Sequence, residues 1–250
     1  MLNSSMSFNH ERYLPNTTLL VLDPTNLNSL RFGEFGIIWW IWKPHGLPSV
    51  QGYGRSLLDE LIDRHASHPL IRQALDEFGI DGELGMLTRL DNDTAGMVWF
   101  ARTHESKLLW LQAQSEGKIN KVYEADVIGW IKNPITIDTP IMHHRYDDTR
   151  MITINNKSDT NKGRWNTHQV STHIIPWIIS WNNTHIQAII HQWCRHQIRI
   201  HCASYGNPII GEIVYHKQQT DNFLHLVSIG LDRDQLKQAI VVNVERIWQK

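Results

Sequence analysis

Apolar positions in this chain fall mostly in short runs of four to eight, separated by polar and turn-forming residues, with helical spacing confined to a few stretches. TTLLVL (17–22) predicts a strand. FGIIWWIW (35–42) predicts a buried one, broken by KPHGLPS, where two prolines and a glycine make a loop. LLDELIDRHA has the helical period behind Ser56, a cap, with Asp59 and Glu60 in the first turns; a second helix is predicted over 69–77, ending before Gly79. Strands are predicted at 84–91 and 96–101, and a helix through SKLLWLQAQSE between a Thr103 cap and a Gly117 stop. In INKVYEADVIGW a strand would place Ile119, Lys121, Tyr123, Ala125 and Val127 on one face. Further strands are predicted at 149–154, 167–175 and 185–191, with NNKSDTNKG as an exposed hairpin loop between the first two. HQIRIHCASYG reads as a short helix closed by Gly206, with Ile198 and Cys202 toward the core; FLHLVSIGL reads as a strand and DRDQLKQAIVVNVERIW as a last helix capped near Asp232. Many short strands, scattered helices and no regular β-α alternation predict an α+β fold on a mixed, largely antiparallel sheet. No linker composition divides the chain.

Composition narrows the function classes. The chain has 250 residues, 41% hydrophobic and 20% charged, enough to bury a core. No apolar run approaches the roughly 18 residues of a membrane span. The first residues lack the basic start and apolar centre of a secretory signal, so a cytoplasmic protein is expected. Two cysteines, Cys194 and Cys202, do not make a disulfide framework. With 24 Lys plus Arg against 25 Asp plus Glu, the net charge is -1. Coating nucleic acid by bulk charge is thereby excluded, but a local basic cleft is not.

Candidate chemistry begins at RLDNDTAGM (89–97). If this is a strand end with Leu90 pointing inward, Arg89 and Asp91 share the opposite face, as a surface ion pair or as part of a cleft. His196 and His201 lie near both cysteines but without the spacing of a metal site, so local hydrogen bonding and packing are expected and no metal. Trp39, Trp40 and Trp42 suit a buried strand. Trp165, beside Arg164 and near Lys162, suits either the core or an aromatic-basic contact with RNA.

RLDNDTAGMVWFART, NKVYEADVIG and RHQIRIHCASYGNPIIGEIVY, preceded by IIWWIWKPHGLPS, resemble in order and spacing the RluA-type pseudouridine synthases. The resemblance spans roughly 35–230 and implies a pseudouridine synthase catalytic domain over 35–250, behind an N-terminal extension, 1–34. That extension is too short for the small RNA-binding domain many relatives carry. The resemblance implies isomerisation of a uridine in structured RNA, transfer or ribosomal, by a monomer without cofactor or metal; a compact stem-loop such as transfer RNA is the expected target. Asp91 would be the catalytic carboxylate, Tyr123 the ring that stacks on the target base, and Arg199 the ion-pair partner of Asp91. Arg89 would hold the flipped nucleotide or the RNA backbone, with Lys121, Lys162 (with Lys157 in the same loop) and Trp165 as further RNA contacts.

The chemistry fits these residue types. Pseudouridine formation breaks the bond from ribose C1′ to N1 of uracil and rejoins the turned base through C5. An ionised carboxylate can attack covalently or take a proton, and an arginine beside it favours the ionised form. A base drawn out of its stack gains replacement stacking from an aromatic ring. Thr88, Ala95, Trp193 and Glu212 depart from the usual His, Ser, Gly and Asp of that family. The alternative is a catalytically inactive RNA-binding protein that retains the fold, against which Asp91 stands; a metal-dependent hydrolase lacks a ligand cluster.

Overall fold

In a computed structural model, residues 32–52, 54–155, 157–216 and 226–231 are described. The expected strand at 17–22 and the expected last helix lie outside them. Eight strands form the main sheet in the order β1-β2-β3-β11-β4-β10-β9-β5. In chain order these are β1 (Phe32–Phe35), β2 (Ile38–Lys43), β3 (Ala95–Ala101), β4 (Lys121–Ile128), β5 (Ile135–Ile137), β9 (Thr172–Ile179), β10 (Asn183–Ile190) and β11 (Leu226–Leu231). Every neighbouring pair is antiparallel except β3 with β11. A second sheet of β6 (Ile141–His144), β7 (Met151–Thr153) and β8 (Gly163–His168) has the order β7-β6-β8. Among the described residues, four helices, α1 (Leu57–His65), α2 (Pro69–Phe78), α3 (His104–Ser115) and α4 (Gln197–Tyr205), accompany the sheets in an α+β architecture.

The helix ends follow the capping residues. Ser56 and Thr103 each close a capping box, with Asp59 and Ser106 reaching back to the cap backbone. Gly206, at φ 96°, ends α4 in the left-handed conformation that a residue without Cβ adopts freely.

β3 is buried along its whole length because the sheet is covered on both faces. Val98 and Phe100 join Trp39, Ile41, Leu57, Leu61 and Tyr123 in the larger core. Met97 and Trp99 point the other way, to Trp40 and to Trp110 of α3. Trp39 stacks on Phe100 with ring centroids 4.4 Å apart and donates from Nε1 to the Ala101 carbonyl, so its polar atom is satisfied inside the core. A third, smaller cluster of Ile141, Met151, Val170, Cys194 and Ile200 fastens the second sheet to α4.

Several sequence expectations change. FGIIWWIW is not one strand: Gly36, at φ 57°, turns the chain between β1 and β2, and the expected boundary between 34 and 35 falls inside that hairpin. The 84–91 segment has no ladder; it is a short 3-10 turn (Glu83–Gly85) and an extended stretch with one isolated bridge, Met86 to Phe100. NNKSDTNKG is not a hairpin loop, since β7 and β8 lie on opposite sides of β6 and residues Lys157–Lys162 form a 3-10 helix. The strand expected at 167–175 is two, β8 and β9. Ile119 precedes β4 and packs with Trp110 in the core on the other side of the sheet from Tyr123.

Candidate active site

A cleft opens where the chain leaves the 84–91 segment. Its wall includes Leu90, Asp91, Tyr123, Trp193, His196 and Arg199, contributed by the loop before β3, the middle of β4, the turn after β10 and the start of α4.

Residues 88–94 carry Asp91 without a strand's hydrogen bonds, so their backbone groups need other partners. The KPHGLPS loop supplies them. Ser49 Oγ donates to the Leu90 carbonyl at 2.9 Å and accepts from the Leu90 amide at 3.0 Å. Lys43, fully buried, donates from Nζ to the carbonyls of Asn92 (3.0 Å), Leu47 (2.7 Å) and Pro44 (3.0 Å). The Gly46 amide reaches the Asn92 carbonyl at 2.8 Å, and His45 Nδ1 lies 2.7 Å from the Asp93 carbonyl. Thr88, where a histidine is usual, accepts the Trp99 amide on Oγ1 at 2.9 Å and so stands in for a ladder partner of β3. Asp91 therefore sits on a loop clamped from one side by a second loop and from the other by β3.

The Asp91 side chain keeps 17% of its surface open, enough to be reached from the cleft. Arg199 Nη1 stands 3.8 Å and His196 Nε2 3.9 Å from its Oδ2, inside ion-pair range but beyond hydrogen-bonding distance. Burial raises the Asp91 pKa, and the charges of Arg199, Arg195 and Lys43 pull it back toward the ionised form. Arg199 has a closer partner. Its Nε and Nη2 donate in parallel to both carboxylate oxygens of Glu212, at 2.7 and 2.9 Å, with both side chains buried. Burial tends to lower the Arg199 pKa, but the hydrogen bonds and charge of Glu212 more than offset it, and the net shift is upward. Glu212 also accepts the Val214 and Tyr215 amides. The expectation that Arg199 chiefly serves Asp91 is thus refined: Arg199 is fixed by Glu212 and presents its remaining nitrogen to Asp91.

Tyr123 lines the same cleft from β4, and burial together with the neighbouring Asp91 charge raises its hydroxyl pKa. The other expected site residues lie elsewhere. Arg89 is 52% exposed and pairs at 2.5 Å with Glu83, away from the cleft lining; without a ladder, the period-two rule that put it beside Asp91 does not apply. Lys121 is buried at the start of β4, where desolvation lowers its pKa to about 8, so it is neither a solvated lysine nor a surface contact. Lys162 is exposed beside the second sheet and pairs with Asp159 at 2.8 Å. Trp165 lies on β8; its side chain, like that of Lys157, is outside the described residues. His201 is buried, with Nδ1 2.8 Å from Thr172 Oγ1 and Nε2 2.9 Å from the Thr139 carbonyl, a packing role. Lys43 and Ser49 escaped the sequence reading, although the KPHGLPS segment that holds them stood out.

Residues 38–204 match the RNA pseudouridylate synthase family. An uncharacterized RNA pseudouridine synthase of Chloroflexus aurantiacus is 30% identical over 162 residues, 62% of this chain and 48% of that protein. The ribosomal large subunit pseudouridine synthase D of Pseudomonas aeruginosa is 32% identical over 134 residues, 52% of this chain and 38% of that one. The chain thus spans half or less of the length of these two relatives. The solved structure of human RNA pseudouridylate synthase domain containing 1 superimposes with a TM-score of 0.63 at 16% identity, covering 84% of this chain and 80% of that one, which bears on the fold alone. With two thirds of its length in that match, this chain belongs to the RNA pseudouridylate synthase family.

Proposed function

We propose that this protein isomerises a uridine in structured RNA to pseudouridine, with Asp91 as the catalytic carboxylate. The observation that carries the reading is the partly open Asp91 side chain, set in a cleft beside Tyr123 and flanked by the cation of Arg199. An ionised carboxylate there can attack C1′ or the base, or take a proton from the sugar, while the C1′–N1 bond breaks and the C1′–C5 bond forms. The proton that leaves C5 balances the one that N1 gains, so the reaction is a net isomerisation. Tyr123 offers its ring to the extruded base, and Arg199 sustains the carboxylate charge through the turn of the base. Arg89, Lys162 and Trp165 remain candidates for contacts with flanking RNA outside the cleft.

Several relatives carry the name ribosomal large subunit pseudouridine synthase D, which favours large-subunit ribosomal RNA over transfer RNA as the target. A unit that reaches past the family match is supported by β11 (Leu226–Leu231), which lies inside the main sheet between β3 and β4. Pseudouridine mapping in total RNA from cells with and without the gene tests the reading. A site lost with the gene, restored by the parent chain and not by Asp91→Asn, is expected. Restoration by Asp91→Asn would refute it.

A further inference from the structure

His196 occupies an unusual position. It is the residue before α4, buried, and its backbone is left-handed at φ 55°, a conformation that a residue with a Cβ rarely adopts. That conformation turns the imidazole between two partners. Nδ1 lies 2.8 Å from Tyr215 Oη, and Nε2 lies 3.9 Å from Asp91 Oδ2. Tyr215 Oη in turn accepts the Met151 amide of β7 at 2.9 Å. A chain of contacts thus runs from the second sheet, through a phenol and an imidazole, to the reacting carboxylate.

Resting on the proposed reaction, we infer that His196 is a positioning residue for Asp91, locked by Tyr215 as the neutral tautomer whose Nε2–H faces the carboxylate. The hydrogen-bond inventory leads there. A phenol has one proton to give, and with the Met151 amide already donating to Oη, that proton is directed to His196 Nδ1. The imidazole proton then belongs on Nε2. In the opposite tautomer the Nε2 lone pair would face Oδ2, setting two acceptors against each other. Neutrality follows from the surroundings. Burial first, then Arg199 on α4, Arg195 in the preceding turn and His143 on β6, push the His196 pKa down to about 3. A neutral donor directs the carboxylate without handing it a proton. Together with Arg199 it frames one oxygen, Oδ2, so the orientation of Asp91 is set before RNA arrives.

The test has a readout independent of turnover. In the full chain with 15N-labelled histidine, the ring signals that vanish in His196→Gln belong to His196, and they are expected to report the Nε2–H tautomer in the parent. Tyr215→Phe removes the phenol proton, so those signals should move toward the Nδ1–H form. On an in vitro transcript of large-subunit ribosomal RNA, kcat should fall about tenfold to a hundredfold with little change in KM. His196→Gln, which retains an N–H donor, should keep more activity than His196→Leu, with circular dichroism confirming that each variant is folded. A parental Nδ1–H tautomer would overturn the inference. So would a Tyr215→Phe variant that changes tautomer yet keeps the parental kcat, or equal losses in the folded Gln and Leu variants. Conversion retained by Asp91→Asn would instead overturn the reading of the whole site.

Discussion

Replacing Lys43 by methionine should cost turnover more than it costs stability. Methionine fills nearly the same volume with an apolar chain but cannot donate, so the carbonyls of Pro44, Leu47 and Asn92 lose the ammonium they share. Asn92 keeps the Gly46 amide at 2.8 Å, so the loss falls mainly on Pro44 and Leu47. A buried acceptor left without its donor costs about 1–3 kcal/mol, which gives roughly 2–6 kcal/mol for the two. Relief from burying an ammonium works the other way: desolvation lowers the Lys43 pKa to about 8, so keeping the charge at neutral pH costs a few kcal/mol that methionine does not. The two effects largely offset, and we expect a net destabilisation of no more than about 3 kcal/mol by urea unfolding at pH 7. Turnover should fall further than stability alone explains, because Asn92 follows Asp91 directly and the cage sets where that loop sits. Unfolding midpoints fix the first quantity, and pseudouridine formation at a temperature where both proteins stay folded fixes the second. A folded Lys43→Met protein with parental kcat would show that the cage does not position the carboxylate.

Other outcomes follow from the same geometry. Asp91→Asn should abolish turnover and raise stability at neutral pH: the folded pKa of Asp91 is raised, so its ionisation opposes folding above the ordinary carboxylate range, and the gain should vanish in acid, as unfolding curves at pH 7 and pH 3 would reveal. Arg199→Ala leaves Glu212 buried and unpaired, and Glu212→Ala does the reverse; each should cost about 3–5 kcal/mol, and a double-mutant cycle should show the losses to be far from additive. The activity profile should rise with pH through a window above the usual carboxylate range as Asp91 ionises, and fall above about pH 8 as Lys43 loses its proton. Lys121→Met should retain that alkaline fall, since Lys121 titrates near the same pH but shows no interaction with Asp91.

Local rules read much of the architecture from the sequence, and their failures have identifiable causes. Capping boxes at Ser56 and Thr103 and the glycine end of α4 are short-range events, so the helices emerge close to where the pattern puts them. β5 and β6 went unread because three- and four-residue strands carry too little alternation, and their pairing is set by distant strands. Arg89 was misplaced because a two-residue period presupposes a ladder, and the 84–91 backbone is satisfied by Ser49 and by isolated contacts with β3 instead. Lys43, Ser49 and Tyr215 lie 48, 42 and 124 residues from Asp91 in sequence. No local pattern can report such a meeting. Asp91, Tyr123 and Arg199 came from the order of four segments, and what sequence could not supply was the hierarchy among them, above all that Glu212 holds Arg199.

On the proposed reaction, that hierarchy lets one carboxylate be largely enclosed and still free to react. An aspartate bound directly to a bidentate arginine would have its charge satisfied and its orientation fixed on the partner, and removing it toward a substrate would break two charged hydrogen bonds. Here those bonds are made by Glu212, fully buried and unable to meet RNA, so Arg199 is rigid before Asp91 is considered. Asp91 then feels cations at 3.8 Å and beyond, close enough to favour ionisation and too far to bind its lone pairs. Charge support is thereby separated from hydrogen-bond saturation, which under the proposed reaction leaves the carboxylate free to act on a ribose or a base. The longer reach of Glu212, where the family commonly has aspartate, is consistent with this division: its extra methylene lets both oxygens lie against the guanidinium while Oε1 still takes the Val214 and Tyr215 amides. Glu212→Asp should therefore loosen Arg199 and draw it toward Asp91, lowering the pH at which the activity profile rises, because a closer cation favours the ionised carboxylate, even as kcat declines. A variant whose acid limb stays at the parental position would show that Arg199 does not depend on Glu212 for its place.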